Sequence, residues 1–206
     1  WGALIDGATY GGQDAPWDRH TIDKFEEHAG KRISILHWGQ AWWYCGNKTC
    51  NYQDFRHQQS QYEAMRKRGI MPLVDWASWS SGAEPVTEQP KFALRTIIDG
   101  EHDDYIRQWA SEAREWGHPF FLRFNWEMNG DWFPWSEKVN GNKPGEYVRA
   151  WRHVHDIFRE VGAGNAIWVW CPNVVYPGSI SLKSLYPGDD YVDWMCMDGY
   201  NWGTHD

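Results

Sequence analysis

Residues 121–135, FLRFNWEMNGDWFPW, are the stretch around which the rest of this 206-residue sequence is organised. Phe120, Phe121, Leu122 and Phe124 form an apolar, aromatic run after His118-Pro119, which predicts a buried strand. Asn129, Gly130 and Pro134, laced with tryptophan, predict a loop after it. A strand has period two, so a pleat that holds to the end of the run would set Arg123, Asn125 and Glu127 on one face. Three polar groups on one face of a buried strand are costly unless something uses them. The plain structural reading pairs Glu127 with Arg123 as a strand end. The aromatic surround favours chemistry instead: Trp126, Trp132, Phe133 and Trp135 can desolvate a carboxyl group and offer flat faces on which sugar rings stack.

Working outward, each strand-like run ends in polar residues or tryptophan. Residues 3–6 end at Asp6-Gly7, 32–37 at His37-Trp38 and 70–75 at Asp75-Trp76. Residues 166–171 run into Trp170 to Asn173, and 192–198 end at Asp198-Gly199-Tyr200. Between them lie helical periods. Residues 17–29 are stopped by Gly30, 54–68 are capped by Asp54, 103–116 are stopped by Gly117, and the last runs from Pro144 to Gly162. Segments 39–50 and 78–89 are expected as loops. Strands alternating with helices imply βαβ units and a parallel sheet. Polar groups gathered at the C-terminal strand ends point to a (β/α)8 TIM barrel, which builds its active site there. No GxGxxG follows the first strand, which disfavours a doubly wound nucleotide fold.

Composition narrows the classes. A formal net charge of −8 without a basic cluster argues against nucleic acid, and no apolar run reaches the roughly 20 residues that cross a bilayer. Seventeen Trp, more than a core needs, suggest that some line a cleft. Cys45 and Cys50 bracket a polar loop and are expected as a disulfide in an oxidising, extracellular setting, whereas Cys171 and Cys196, inside aromatic strands, are expected as free core thiols. His153 and His155, two apart on a helix, make a poor metal pair, so neither a catalytic metal nor a cofactor is expected.

The motifs RFNWEMNGDWFPW, NKPGEYVRAWRHVHDIF, IWVWCPN and VDWMCMDGYNWG resemble glycoside hydrolase family 26, retaining enzymes on a (β/α)8 barrel. The resemblance implies cleavage of internal β-linkages in polysaccharides, principally β-1,4-mannan, with mixed-linkage β-glucan and β-1,3-xylan as variations. By position, Glu127 matches the family's general acid/base and Tyr200 the tyrosine that bonds the nucleophile. Many members carry His immediately before the acid/base; here it is Trp126. Substrate contacts are expected from His37, Trp38, Trp76, Arg123, Asn125, Trp126, Asn129, Trp132, Trp170 and Trp202. The family's nucleophile lies on strand seven and this sequence supplies six strands, so residues 1–206 are expected to be one catalytic domain, incomplete at its C-terminus. A monomer acting on a β-linked polysaccharide is expected. Two competing readings are a non-catalytic polysaccharide-binding relative and an inverting enzyme. The latter would pair Glu127 with Asp6, Asp75 or Asp198 at ~6.5–9.5 Å, against ~5–5.5 Å for retention.

Overall fold

In a computed structural model of the protein, residues 1–46 and 49–200 are described. The strands are β1 (Gly2–Leu4), β2 (Ile35–Gly46), β3 (Thr49–Tyr52), β4 (Met71–Ser81), β5 (Phe120–Phe124), β6 (Ala166–Trp170) and β7 (Trp194–Met195). The helices are α1 (Arg19–Ala29), α2 (Gln59–Lys67), α3 (Leu94–Ile98), α4 (Asp103–Trp116), α5 (Glu146–Val161) and α6 (Leu182–Leu185). The sheet order β1-β2-β4-β5-β6-β7 is parallel throughout, with β3 added antiparallel to β2. Six parallel strands in chain order, joined through helices, form a partial (β/α)8 barrel.

The helix ends follow local chemistry. Asp18 caps α1 by accepting the His20 N–H at 2.9 Å, so the helix starts two residues later than expected. Asp54 accepts the His57 N–H at 2.9 Å and opens a 3₁₀ turn that leads into α2. Gly117 closes α4 in the left-handed conformation, φ 74°, which an L side chain adopts only with strain.

Pleating sorts each strand into two faces. On β5, Phe120, Leu122 and Phe124 point to the helices and are almost wholly buried. Arg123 points the other way, into the barrel interior, as does Asp75 opposite it in register. The layer between sheet and helices is dense with rings. Trp76 lies 4.7 Å from Trp109 and 5.7 Å from Phe124, and Trp38 lies 5.2 Å from Tyr62. Such side chains bury large apolar areas, and edge or tilted ring contacts add about 0.5–1.5 kcal/mol per pair.

Two segments expected as loops are strand. β2 runs on to Gly46 and turns back as β3, while β4 runs on to Ser81 and pairs Ser81 with Tyr44. The aromatic run at residues 42–44 favours extended backbone, and a bulge between Ala41 and Trp43 shifts the register. Trp42 then packs against Trp76 and Trp43 against Tyr52 of β3. The expected strand 192–198 shrinks to two residues plus a lone bridge between Asn173 and Asp198.

Cys45 and Cys50 are disulfide-bonded, as expected; they are cross-strand partners in the β2–β3 hairpin. The expectation of free thiols at Cys171 and Cys196 is corrected: they form a second disulfide, with Cα atoms 4.6 Å apart. The two cysteines follow the ends of adjacent parallel strands, β6 and β7, a proximity within disulfide reach that a sequence separation of 25 conceals.

Candidate active site

The site is built where β5 ends. The expected pleat through Glu127 breaks instead. Asn125 and Glu127 both take positive φ, 43° and 50°, which L residues adopt at a cost of about 1–3 kcal/mol unless neighbours hold them. Neighbours do hold them. The Asn125 side chain is bracketed by Ser78, whose N–H and hydroxyl both reach its Oδ1, at 3.0 and 3.1 Å. The Asn125 carbonyl accepts the Tyr147 hydroxyl at 3.1 Å. The Glu127 N–H donates to the Cys171 carbonyl at 2.7 Å, tying the turn to the end of β6.

This turn aims the Glu127 carboxyl at two donors. Trp132 Nε1 donates to Oε2 at 2.7 Å, and Asn173 Nδ2 donates to Oε1 at 2.9 Å. Glu127 is only 8% exposed. Burial pushes its pKa up; the bonds from Asn173 and Trp132 pull it down, and the neighbouring Asp198 carboxyl pushes it up again, with a net rise. Beside it, Arg123 spans two acids, bonding Asp75 at 2.5 and 3.1 Å and Asp198 at 2.8 and 3.1 Å. His37 Nε2 lies 2.8 Å from Asp75 Oδ2, within ion-pair distance but misaligned for a hydrogen bond. A carboxyl with raised proton affinity, flanked by acids that are ion-paired with an arginine, can hold and deliver a proton.

The expected contact residues divide sharply. Trp132 is 36% exposed and stacks on Tyr176 at 5.7 Å beside Glu127. Trp126 is half-buried, under the Arg123 guanidinium at 5.3 Å and against Phe133 and Trp135. His37, Arg123, Trp126 and Trp132 therefore gather at the site or on the barrel face leading to it. Trp38, Trp76 and Trp170 do not, which corrects their reading as sugar platforms. Even-numbered positions of β2, β4 and β6 face the helices, and all three rings are at most 5% exposed, Trp170 packing on Tyr186. Asn125 and Asn129 are fully buried, so they support the site rather than touch a ligand. Asn129 grips the backbone of Asn173, accepting its N–H and donating to its carbonyl, both at 2.9 Å. Tyr200 is 73% exposed, and Trp202 lies outside the described residues.

Asn173 is the residue that sequence reasoning missed. Its signal was the Pro172-Asn173 pair just past a strand end, the position at which every other strand carries its polar residues. Among the alternative acids, Asp6 is spent on a turn, accepting from Ala8 N and Thr9 Oγ1, and Asp75 and Asp198 are held by Arg123. Cys171, Cys196 and Asp198 cluster closely enough to suggest a cation site, but both sulfurs are consumed by their disulfide and are not available as thiolate ligands.

Comparison with known proteins bears on the fold and the family. Endoglucanase H from Acetivibrio thermocellus is 34% identical over 190 residues, covering 89% of this chain and 18% of that protein. Mannan endo-1,4-beta-mannosidase A and B from Caldalkalibacillus mannanilyticus is 36% identical over 84 residues, 38% of this chain and 16% of that protein. The structure of Bacillus subtilis mannanase man26 superposes with a TM-score of 0.66 at 22% identity, over 87% of this chain and 58% of that one. The chain thus spans under a fifth of the length of these two sequence relatives and a little over half of the mannanase structure. The sequence profile of glycosyl hydrolase family 26 matches residues 77–206, which carry Glu127, Asn173 and Asp198, and the chain belongs to that family.

Proposed function

We propose that this chain carries the acid/base half of a retaining glycoside hydrolase that cleaves internal β-linkages of a polysaccharide. The observation that carries the reading is Glu127: a buried carboxyl with a raised pKa at the C-terminal end of a barrel strand, met by an exposed tryptophan. In the first step Glu127 gives its proton to the glycosidic oxygen as the bond from that oxygen to the anomeric carbon breaks and a second carboxylate bonds that carbon. The resulting carboxylate is received by the Trp132 and Asn173 N–H groups already in place. In the second step the same carboxylate takes a proton from the attacking water. Asn129 and Asn125 act as positioning residues, through Asn173 and through the β5 turn. Trp132 and Trp126 offer the faces against which sugar rings pack.

Retention needs a second carboxylate about 5 Å away. Among the described residues Asp198 neighbours Glu127, but it is ion-paired with Arg123, which suits it to tuning rather than attack. We assign the nucleophile to a seventh barrel strand outside the six described here, and to Tyr200, which follows β7, the role of hydrogen-bonding it. The two disulfides favour an oxidising, extracellular setting. Among the described residues no helix is long and apolar enough to cross a membrane.

The substrate is assigned first to β-1,4-mannan. A second reading, a β-glucan, is favoured by a specific observation. Trp126 replaces a hydrogen-bonding His with an apolar ring, and the match to an endoglucanase extends over 89% of the chain, against 38% for the mannosidase. Incubating the full-length enzyme with glucomannan, lichenan and β-1,3-xylan and sizing the products tests both. Oligosaccharides of several lengths from one polymer support the proposal and name the substrate. Binding without release of reducing ends from any of the three refutes hydrolysis and leaves a polysaccharide-binding protein.

A further inference from the structure

We propose that the Cys171–Cys196 disulfide is a positioning device for Glu127: it fixes the turn that carries the acid and holds the Asp198–Arg123 pair in place beside that turn. The inference rests on the reading of Glu127 as the general acid. Three contacts meet at this bridge. The Cys171 carbonyl accepts the Glu127 N–H at 2.7 Å, so the bridge anchors the backbone of the strained turn. Cys171 Sγ lies 3.4 Å from both Asp198 Oδ1 and Arg123 Nη1, so the sulfur packs on the carboxylate–guanidinium pair itself. Cys196 stands two residues before Asp198, so the covalent tie reaches the carboxylate through a short piece of backbone.

That piece of backbone needs such a tie. β7 has two residues, and Trp194, Met195 and Met197 are 60, 67 and 57% exposed. Besides the short β6–β7 ladder, residues 193–198 are held to β6 and the turn after it by the backbone bonds Asp193 to Trp168, Cys196 to Trp170, Asp198 to Pro172 and Val174 to Asp198, and by Asp193 Oδ2 accepting the Trp168 N–H. Hydrogen bonds on an exposed, two-residue strand open easily, whereas a covalent link does not. The disulfide is the covalent link between this segment and β6. Among the described residues, the charged and titratable groups around Glu127 include Asp198 past β7, Arg123 on β5 with Asp75 on β4 and His37 on β2, and Asp131 and Tyr176 on the flanking loops. Of these, Asp198 is the one whose placement the bridge governs, and a nearby carboxylate raises a neighbour's pKa.

The test reads Glu127 directly. In the full-length protein labelled with ¹³C at glutamate carboxyls, the Glu127 resonance is assigned by its loss in Glu127→Gln and titrated in three proteins. Cys171→Ala/Cys196→Ala should titrate at a lower pH than wild type, the direction expected on losing a close like charge. Cys45→Ala/Cys50→Ala, which cuts the hairpin disulfide, should match wild type. Should the first variant fail to fold, the folded Cys45→Ala/Cys50→Ala protein is treated with dithiothreitol. The bridge takes two electrons and two protons to give two thiols, the reagent closes to its cyclic disulfide, and the same fall is expected. An unchanged midpoint with the bridge removed, even alongside a loss of thermal stability, overturns the proposal and leaves the disulfide a structural staple. A wild-type protein that cuts no glycan would refute the functional reading, while the titration would still decide this one.

Discussion

Replacing Arg123 removes the charge that holds the barrel interior together, and the cost follows from its contacts. The guanidinium makes four N–H···O bonds of 2.5–3.1 Å to Asp75 and Asp198, and its side chain is 8% exposed. Arg123→Met keeps the length and apolar stem of the side chain but leaves two carboxylates unpaired. Asp75 is 10% exposed, so its orphaned charge is expensive; Asp198, at 23%, is partly relieved by water. His37, 2.8 Å from Asp75, offers partial compensation. Breaking a buried ion pair by removing one partner costs about 3–5 kcal/mol. At roughly 2–4 °C per kcal/mol for a chain of this size, that is a fall in Tm of about 6–20 °C. Arg123→Lys should lose most of the same energy, because one ammonium cannot serve two carboxylates at once as a planar fork does. Urea denaturation at pH 7 measures it: the midpoint should fall with an unchanged m-value. A midpoint within about 1 kcal/mol of wild type for Arg123→Met would refute the reasoning and mean that solvent already screens these acids.

Glu127→Gln should lower turnover by about 10²–10⁴ on substrates with poor leaving groups and much less on activated aryl glycosides, measured by steady-state kinetics with azide as external nucleophile. Equal losses on both without azide rescue would remove Glu127 from the acid role. The same substitution should change stability in a pH-dependent way. Because the folded state raises the Glu127 pKa, protonation of this group favours folding at low pH, and that contribution is lost as pH rises through the folded value. Glu127→Gln should therefore gain Tm relative to wild type at pH 8 compared with pH 4, read by calorimetry. Asn129→Ala strips both partners from the Asn173 backbone, at about 1–3 kcal/mol for each buried group left unsatisfied, and should also lower turnover by releasing Asn173 from Glu127. Thiol titration of denatured, unreduced protein should find no reactive thiol among the four cysteines, and all four after reduction.

What the sequence determined by itself was carried by local rules. The apolar, aromatic run at 120–124 identified β5, the 3.6-residue spacing of Tyr105, Ile106, Trp109 and Ala113 identified α4, and glycines marked where helices stop. Polar residues at successive strand ends indicated a barrel, and the residues around Glu127 carried the family. These signals lie within a few residues of one another, so the chain alone displays them. Tertiary structure decided the rest, because those facts depend on strands brought together from far apart. Which tryptophans face sugar depends on which face of each strand meets the helices; Trp38, Trp76 and Trp170 look like Trp132 in composition and are core only because of that orientation. The pleat through Glu127 fails because Ser78, Tyr147 and Cys171, 22 to 47 residues from the residues they bond, hold Asn125 and Glu127 at positive φ. Cys171 meets Cys196 because β6 and β7 are neighbours, and Asn173 reaches Glu127 because Asn129 holds its backbone. Local propensity acts along the chain, whereas proton affinity, disulfide pairing and access to a ligand are properties of what packs across it.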